Sequence, residues 1–434
     1  MKYYLAIDLG ATSGRHIISY EKNGKIVLEE IYRFQTGMDQ GEDGLVWNIP
    51  RLFNEIKLGI KKAFEINKNI VSLSIDSWGV DYVLMNGDKE LPPFYAYRNK
   101  RLDTSYKDVH NIISFEDLYN ITGIQFAPYN TIYQLYSDLK SGRLESATDY
   151  LTIPEYFIYK LTGIKTHEYT FESTTGLLDA LNKDYSSLII EKLGLPKKLF
   201  KEISQPGVVV GRLSKEIENE VGGNLDVVLC ASHDTASAFE AVDCPKDAVI
   251  ISSGTWSLLG FKSEKPIIND SSKNANFTNE GGVGYIRFLK NIMGMWIANQ
   301  ASSQLNVDLY KICKELDDVE YKELFDVNDV TLLSPVDMSK AVIDLLKGRE
   351  PKNNKELFAS IFHSLAYSYN QAISELETIT GIKYNYVYIV GGGAKNDYLN
   401  KLVAHYTNRK VVAMPIEATS IGNIMLQIKT ETDK

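Results

Sequence analysis

Two short polar turns, each following an apolar run, carry the residues best suited to chemistry. Asp226-Val-Val-Leu-Cys230 reads as a buried strand, and Ala231-Ser-His-Asp-Thr-Ala-Ser237 follows it. That order sets Asp234 just past the carboxyl end of a strand, where open α/β sheets gather their reacting groups. Further on, Ala248-Val-Ile-Ile251 opens into Ser252-Ser-Gly-Thr-Trp-Ser257, whose small hydroxyls and backbone N–H groups suit an anion. A carboxylate beside an anion-binding turn points to phosphoryl transfer onto a hydroxyl, one part taking a proton while the other holds phosphate. Taken alone, the two stretches read equally well as an Asp helix cap and a Ser/Gly turn, so the elements around them must decide.

At the start of the chain, Tyr3-Tyr-Leu-Ala-Ile7 is a strand, Asp8-Leu-Gly-Ala-Thr-Ser-Gly-Arg15 a turn, and His16-Ile-Ile-Ser-Tyr20 a returning strand. Gly10 and Gly14 allow close backbone approach to a phosphate, Thr12 and Ser13 offer hydroxyls, and Asp8 suits a water-mediated Mg²⁺ contact. Asn23-Gly24 predicts a hairpin turn. Asn48-Ile-Pro50 predicts a helix start, with Ile49, Phe53, Ile56, Ile60 and Phe64 as its core face. Val71 to Ile75 is an alternating strand ending in Asp76-Ser-Trp-Gly-Val-Asp81. An indole with two carboxylates there could cover a sugar's C–H face and accept its hydroxyls, or form a Trp-capped turn.

Farther along, Asn291-Ile-Met-Gly-Met-Trp296 predicts a helix start, and Leu357 to Leu376 a long buried helix ending near Gly381. Tyr386 to Val390 predicts a strand that Gly391-Gly-Gly-Ala-Lys-Asn396 joins to a helix, a backbone platform for a planar or phosphorylated ligand. Val411 to Asn423 reads as a strand, a turn and a closing helix. Strands ending in Gly/Ser/Thr turns recur in both halves. That pattern suggests two related α/β domains with a nucleotide in the cleft between them, residues 1–244 and 245–434, and a boundary near 245.

The chain of 434 residues is long enough for two cores, and its 44% hydrophobic and 24% charged residues are ordinary for a globular protein. A net charge of −9 argues against nucleic acid or an anionic membrane as the main partner. Three cysteines without metal spacing, no signal-like leader and no long apolar run predict a cytoplasmic protein. No GxxxxGK[ST], His-Arg-Asp loop, complete GxGxxG or HExxH occurs.

Asp8-Leu-Gly-Ala-Thr-Ser-Gly-Arg15, Asp76-Ser-Trp-Gly-Val-Asp81, Ser232-His-Asp-Thr-Ala-Ser237, Ser252-Ser-Gly-Thr-Trp-Ser257 and Asn279-Glu-Gly-Gly282 together resemble the FGGY carbohydrate kinases. Gly123-Ile-Gln-Phe-Ala-Pro-Tyr-Asn-Thr131, Leu289-Lys-Asn-Ile-Met-Gly-Met-Trp296 and Val390-Gly-Gly-Gly393 narrow the resemblance to one ketose-kinase branch. The resemblance implies the actin/Hsp70-like ATPase fold of two ribonuclease-H-like domains around a central cleft, with ATP and Mg²⁺ as cofactors and a ketose as acceptor. It implies that Asp234 is the proton acceptor, and that Gly79, His233, Asp234, Thr235 and Asn291 line the sugar site. Ala11, Thr12, Ser13, Gly14 and Arg15 fall on the first phosphate loop, Thr255 on the second and Gly392 on the adenine side. Asp8, with Asp234, would hold the metal through water. Asn299 stands where the family pattern has a nucleotide-contacting Gln, with Gln300 beside it, so either amide could serve. The chain also stops soon after Gly422-Asn423, short of the tail of some relatives.

His233 is a weaker candidate for a second base, because neighbours on an extended segment point opposite ways. Two other functions fit the same features. One is a kinase for xylulose, fuculose or glycerol, since the sugar pocket is the variable part. The other is an ATPase that changes shape, as chaperones and filament proteins do, without phosphorylating sugar.

Overall fold

Strands β1 (Tyr3–Leu9) and β2 (Ser13–Lys22) form the N-terminal hairpin, and β3 (Lys25–Gln35) pairs antiparallel to β2. The turn between β2 and β3 places both Asn23 and Gly24 at positive φ, as an Asn-Gly hairpin turn requires. Helix α1 (Ile49–Ile66) begins where Asn48 accepts a hydrogen bond from Arg51 N, with Pro50 in its first turn. It buries Ile49, Leu52, Ile56, Ile60, Ala63 and Phe64. Leu52 takes the core position expected of Phe53, which is only half-buried and stacks on Phe157. Strand β4 (Ile70–Ser77) then enters the sheet parallel to β1. Strands β5 (Val209–Arg212) and β6 (Asp226–Val228) complete it in the order β5-β6-β4-β1-β2-β3.

Helix α2 (Asp234–Glu240) follows β6. The C-terminal helix, Ala418–Thr432, returns to this same sheet. Its Gly422 lies so close to α2 that a Cβ would stand 1.8 Å from Ser237 O, so only glycine fits.

The second sheet is built around β7 (Ala248–Ser253) and its antiparallel partner β8 (Trp256–Ser263). Strand β9 (Ile286–Met293) lies beside β8, and β10 (Tyr386–Val390) and β11 (Lys410–Ala413) extend the other side in parallel. The order β9-β8-β7-β10-β11 repeats that of the first sheet from β3 to β6, with a hairpin at the centre of each. Helix α3 (Asn354–Thr380) ends at Gly381 in the left-handed conformation, and α4 (Asp397–Thr407) follows the glycine turn after β10.

The structure, a computed structural model, describes residues 1–414 and 417–433; Pro415 and Ile416, in the turn expected between β11 and the last helix, lie outside the described residues. Two compact units result. One comprises 1–241, 263–287 and 419–434, the other 242–262 and 288–418. Neither is contiguous in sequence. No described helix is long and apolar enough to cross a membrane.

Candidate active site

In the first unit the sheet carries three carboxylates to one end. Asp8 and Asp76 are register partners on the parallel strands β1 and β4, and partners in register project to the same face. At the end of β4, Ser77 bridges in parallel to His233, and Ser77 N donates to Ser232 O at 2.9 Å. The segment leading to Asp234 therefore runs as an extension of the sheet. Glu168 holds it there, accepting from Ser232 N at 3.1 Å and from the Ser232 hydroxyl. His233 is the cap residue of α2 and Asp234 its first helical residue, one position on from the cap expected of a merely structural Asp.

The hairpin brings Asp8 opposite Arg15, and the two form an ion pair. Ala11 and Thr12 stand in the open loop, with Ser13, Gly14 and Arg15 opening β2. Gly10 N donates to Ser13 O, while Thr36 donates through Oγ1 to Gly10 O at 2.7 Å and through N to Thr12 O at 3.2 Å. A loop so pinned keeps a fixed backbone shape, with Thr12 exposed and Ser13 half-buried.

Asp234 leaves 33% of its side chain open to solvent. Burial of the rest, reinforced by the Asp8 charge, pushes its carboxyl up to about 7. Burial, followed by the Asp8 charge, raises Asp76 well above the usual carboxylate range, and a hydrogen bond from Asn423 opposes that rise. Asp76 Oδ1 is buried with no hydrogen-bond partner among the described residues. Three mutually repelling carboxylates with one unanswered buried oxygen fit a hydrated hard divalent cation such as Mg²⁺.

His233 is buried, its ring edge-on to Phe171 at 6.1 Å. Its Nε2 lies 3.6 Å from Asp234 Oδ1. Adjacent side chains thus converge, contrary to the alternation expected of an extended segment, because the chain turns into α2 between them. Burial and the Arg287 charge hold the imidazole well below its ordinary pKa, so it is neutral. Thr235 Oγ1 donates to Asp234 Oδ1 at 3.0 Å. Gly79 borders the same ring, a Cβ there standing 3.1 Å from His233 Nε2.

Trp78 and Asp81 do not offer the sugar surface considered from the sequence. Trp78 is 5% exposed and packs on Trp47 with ring centroids 4.2 Å apart. Asp81 accepts from Trp47 Nε1 (2.6 Å), Trp78 Nε1 (3.0 Å), Gln134 Nε2 (3.1 Å) and Tyr97 N (3.3 Å). Those donors leave Asp81 as scaffold holding the Gly79 turn. Val80 in that turn has φ 72°, a costly angle for a β-branched residue. Its carbonyl is held by Thr131 Oγ1 and Gln134 Nε2.

The remaining expected residues lie in the second unit. Thr255 is at the tip of the β7–β8 hairpin, and its carbonyl accepts from Gly294 N and Trp296 N. Asn291 lies within β9 rather than at a helix start. Ile292 and Met293 continue the buried strand, and the helix begins only at Trp296. Asn299 is exposed on that helix, and Gln300 is half-buried beside it. Gly392 is exposed in the turn after β10, where Gly391 has φ 82° and a Cβ would stand 2.8 Å from Ser253 O. The glycine turn therefore sits against the end of β7 in the same unit. Glu168 and Arg287 of the first unit went unassigned by sequence, and Asp76 was read there as a sugar-hydroxyl acceptor and not as a partner of Asp8. Asp76 and Glu168 sit in polar stretches of the sequence, and Arg287 is a charge flanked by Ile286, Phe288 and Leu289.

Residues 3–239 match the FGGY family of carbohydrate kinases, N-terminal domain, and residues 249–430 the C-terminal domain of the same family. Curated relatives include rhamnulokinases from Oceanobacillus iheyensis, 40% identical over 98% of this chain and 92% of that protein, and Halalkalibacterium halodurans, 41% identical over 98% and 93%. Another, from Bacillus subtilis, is 37% identical over 98% of this chain and 90% of that protein. Among solved structures, a ligand-bound xylulose kinase from Lactobacillus acidophilus aligns with TM-score 0.83 at 18% identity, covering 100% of this chain and 90% of that one. Glycerol kinase from Plasmodium falciparum with ADP aligns with TM-score 0.78 at 14% identity, over 100% and 90%. At these identities the structural likeness establishes the fold, which is the two-domain α/β ATPase fold expected from the sequence.

Proposed function

Because the chain belongs to the FGGY family of carbohydrate kinases, we propose that it transfers the γ-phosphoryl group of ATP to the 1-hydroxyl of L-rhamnulose, giving L-rhamnulose 1-phosphate. The observation that carries this choice of sugar is the similarity, at 37–41% identity over 98% of the chain, to curated rhamnulokinases. The residues of the first unit suit the chemistry. Asp234 accepts the proton of the 1-hydroxyl as that oxygen forms its bond to the γ-phosphorus and the bond to the β,γ-bridging oxygen breaks, releasing ADP. A carboxyl near 7 is a better base than an ordinary Asp, whose reference value is ~3.9.

The pinned loop Ala11–Arg15 is suited to the phosphates, with its hydroxyls and the Arg15 guanidinium as donors. In the second unit, Thr255 is assigned to the phosphates, Gly392 to the adenine side, and Asn299 or Gln300 to a nucleotide amide contact. Gly79, His233, Thr235 and Asn291 are assigned to the ketose. Mg²⁺, when bound, supplies charge neutralisation of the phosphate oxygens; Asp8 and Asp76 are the residues that would hold it, through water, with Asp234 beside them. The acceptor and donor are small molecules, and the negative net charge supports no nucleic-acid partner. Three free cysteines suit a cytoplasmic setting.

A panel of L-rhamnulose, L-fuculose, D-xylulose and glycerol, read by ADP release, tests the assignment. L-Rhamnulose should give the highest kcat/KM by at least about tenfold. A preference for any other member overturns the choice of sugar, and ATP hydrolysis unaffected by every member overturns the kinase reading.

A further inference from the structure

Arg287 is a fully buried cation beside the proposed sugar site, and no role in the transfer has been assigned to it. Its side chain is 0% exposed. Nε donates to Gly281 O at 2.8 Å, Nη1 lies 3.0 Å from Glu280 Oε2, and Nη2 lies 3.4 Å from Thr170 O. With its position so fixed, the guanidinium sets both terminal nitrogens 3.3 Å from His233 Nδ1. A guanidinium has only donors and keeps its charge in proteins. The ring nitrogen facing it must therefore present a lone pair. Glu280 Oε2, an acceptor on the Nδ1 side, stands 3.6 Å away, beyond hydrogen-bond range.

Among the described residues, Asp234 is the charged group that faces the other side of the ring, 3.6 Å from Nε2. From the Tyr169–Glu172 turn, Phe171 packs against the ring, while Glu172 is engaged by Tyr150 and His167. Gly79 borders the ring without a side chain.

We infer that Arg287 is a positioning residue that locks His233 in its Nε2–H tautomer, so that His233 acts as a fixed hydrogen-bond donor to an oxygen of the ketose and not as a second base. This rests on the sugar-kinase reading for its substrate, but the tautomer itself does not. With a lone pair committed to Arg287 and a proton on the open side, His233 selects an acceptor oxygen and leaves proton removal to Asp234. Replacing Arg287 releases the imidazole to either tautomer, and a fraction of the molecules would then face the sugar with a lone pair.

Nitrogen-15 NMR of the full chain labelled in its 6 histidines, with the His233 signals assigned by comparison with His233→Gln, reads the tautomer directly at pH 7. The expected result is a neutral ring protonated at Nε2 in the wild type and a mixture of tautomers in Arg287→Met. Because Arg287→Met leaves Glu280 buried without its counter-ion, Arg287→Met/Glu280→Gln is measured alongside and should give the same mixture. Kinetically, the double variant should raise the KM for the ketose about tenfold or more while the KM for ATP stays within about twofold. Arg287→Lys, a donor-only cation, should restore the Nε2–H signal at least in part. A wild-type ring protonated at Nδ1, or an unchanged tautomer in the double variant, overturns the inference. If the NMR result holds and no sugar is phosphorylated, the lock stands and the sugar-kinase reading falls.

Discussion

Asn423 Nδ2 donates to Asp76 Oδ2 at 2.6 Å, joining residues 347 positions apart at the end of the first sheet. Asn423 is itself fixed, since its Oδ1 accepts from Gln427 Nε2 at 2.8 Å, and Gln427 also donates to Leu5 O and accepts from Ser72 Oγ. The C-terminal helix thus orients a carboxylate whose other oxygen has no hydrogen-bond partner among the described residues. Removing a group that orients a metal-side carboxylate typically costs 10–100-fold in metal affinity or activity. Asn423→Ala should lower Mn²⁺ affinity, read by electron paramagnetic resonance, by about tenfold or more. Unchanged Mn²⁺ binding would remove Asp76 from the metal site.

Asp234→Asn should cut kcat by about 10²–10⁴, the usual contribution of general base catalysis, while ATP binding by calorimetry stays near wild type. The amide keeps the size and the Thr235 contact but cannot take a proton. Near-normal turnover would show that another group removes it.

Asp8→Asn separates the metal from the base. The amide weakens the Arg15 ion pair and takes one negative charge from the carboxylate cluster. The Mg²⁺ concentration for half-maximal rate should rise several-fold, with kcat at saturating Mg²⁺ falling less than in Asp234→Asn. An unchanged Mg²⁺ dependence would exclude Asp8 from the metal site.

Which parts were legible from sequence follows from how far apart the partners lie. Asp8 and Asp234 declared themselves because a strand, a carboxylate and small polar residues are contiguous in each case. The helix starting at Asn48 was legible for the same reason, its cap and proline being neighbours. Asp76 could be seen, but its oxygen-by-oxygen state depends on Asn423 near the other end of the chain. Arg287 offered only the oddity of a charge inside Ile286–Met293, and its meaning required Glu280 and His233 in place. Trp78 and Asp81 misled because an indole and a carboxylate suit a sugar equally well as they suit each other. The Asn291 stretch misled because its apolar residues fit both periods until the sheet extended through Met293.

Gly79→Ala tests the sugar pocket without touching a titratable group. The new methyl would stand 3.1 Å from His233 Nε2, close enough that the ring must give way. The KM for the ketose should rise about tenfold, roughly the effect of one misplaced methyl group, with little change for ATP. Equal loss for both substrates would mean that the turn supports the fold and not the sugar.

His167 gives a stability test away from the transfer chemistry. It is buried, with Nδ1 3.2 Å from Glu172 Oε1 and Nε2 3.7 Å from Asp149 Oδ1. Burial disfavours the imidazolium, but hydrogen bonds to Asp149 and Glu172 and the nearby Glu155 charge outweigh it and lift the ring to about 10. A folded value above the unfolded ~6.5 means the folded state binds the extra proton. The resulting stability is complete below about 6.5 and is lost as pH rises through about 10. The urea midpoint of the wild type should therefore fall between pH 7 and 10 more than that of His167→Gln. At pH 6.5 the variant should be less stable by about 3 kcal/mol, the cost of leaving buried carboxylates without their cation. Parallel pH profiles for the two proteins would show that His167 is neutral in the fold.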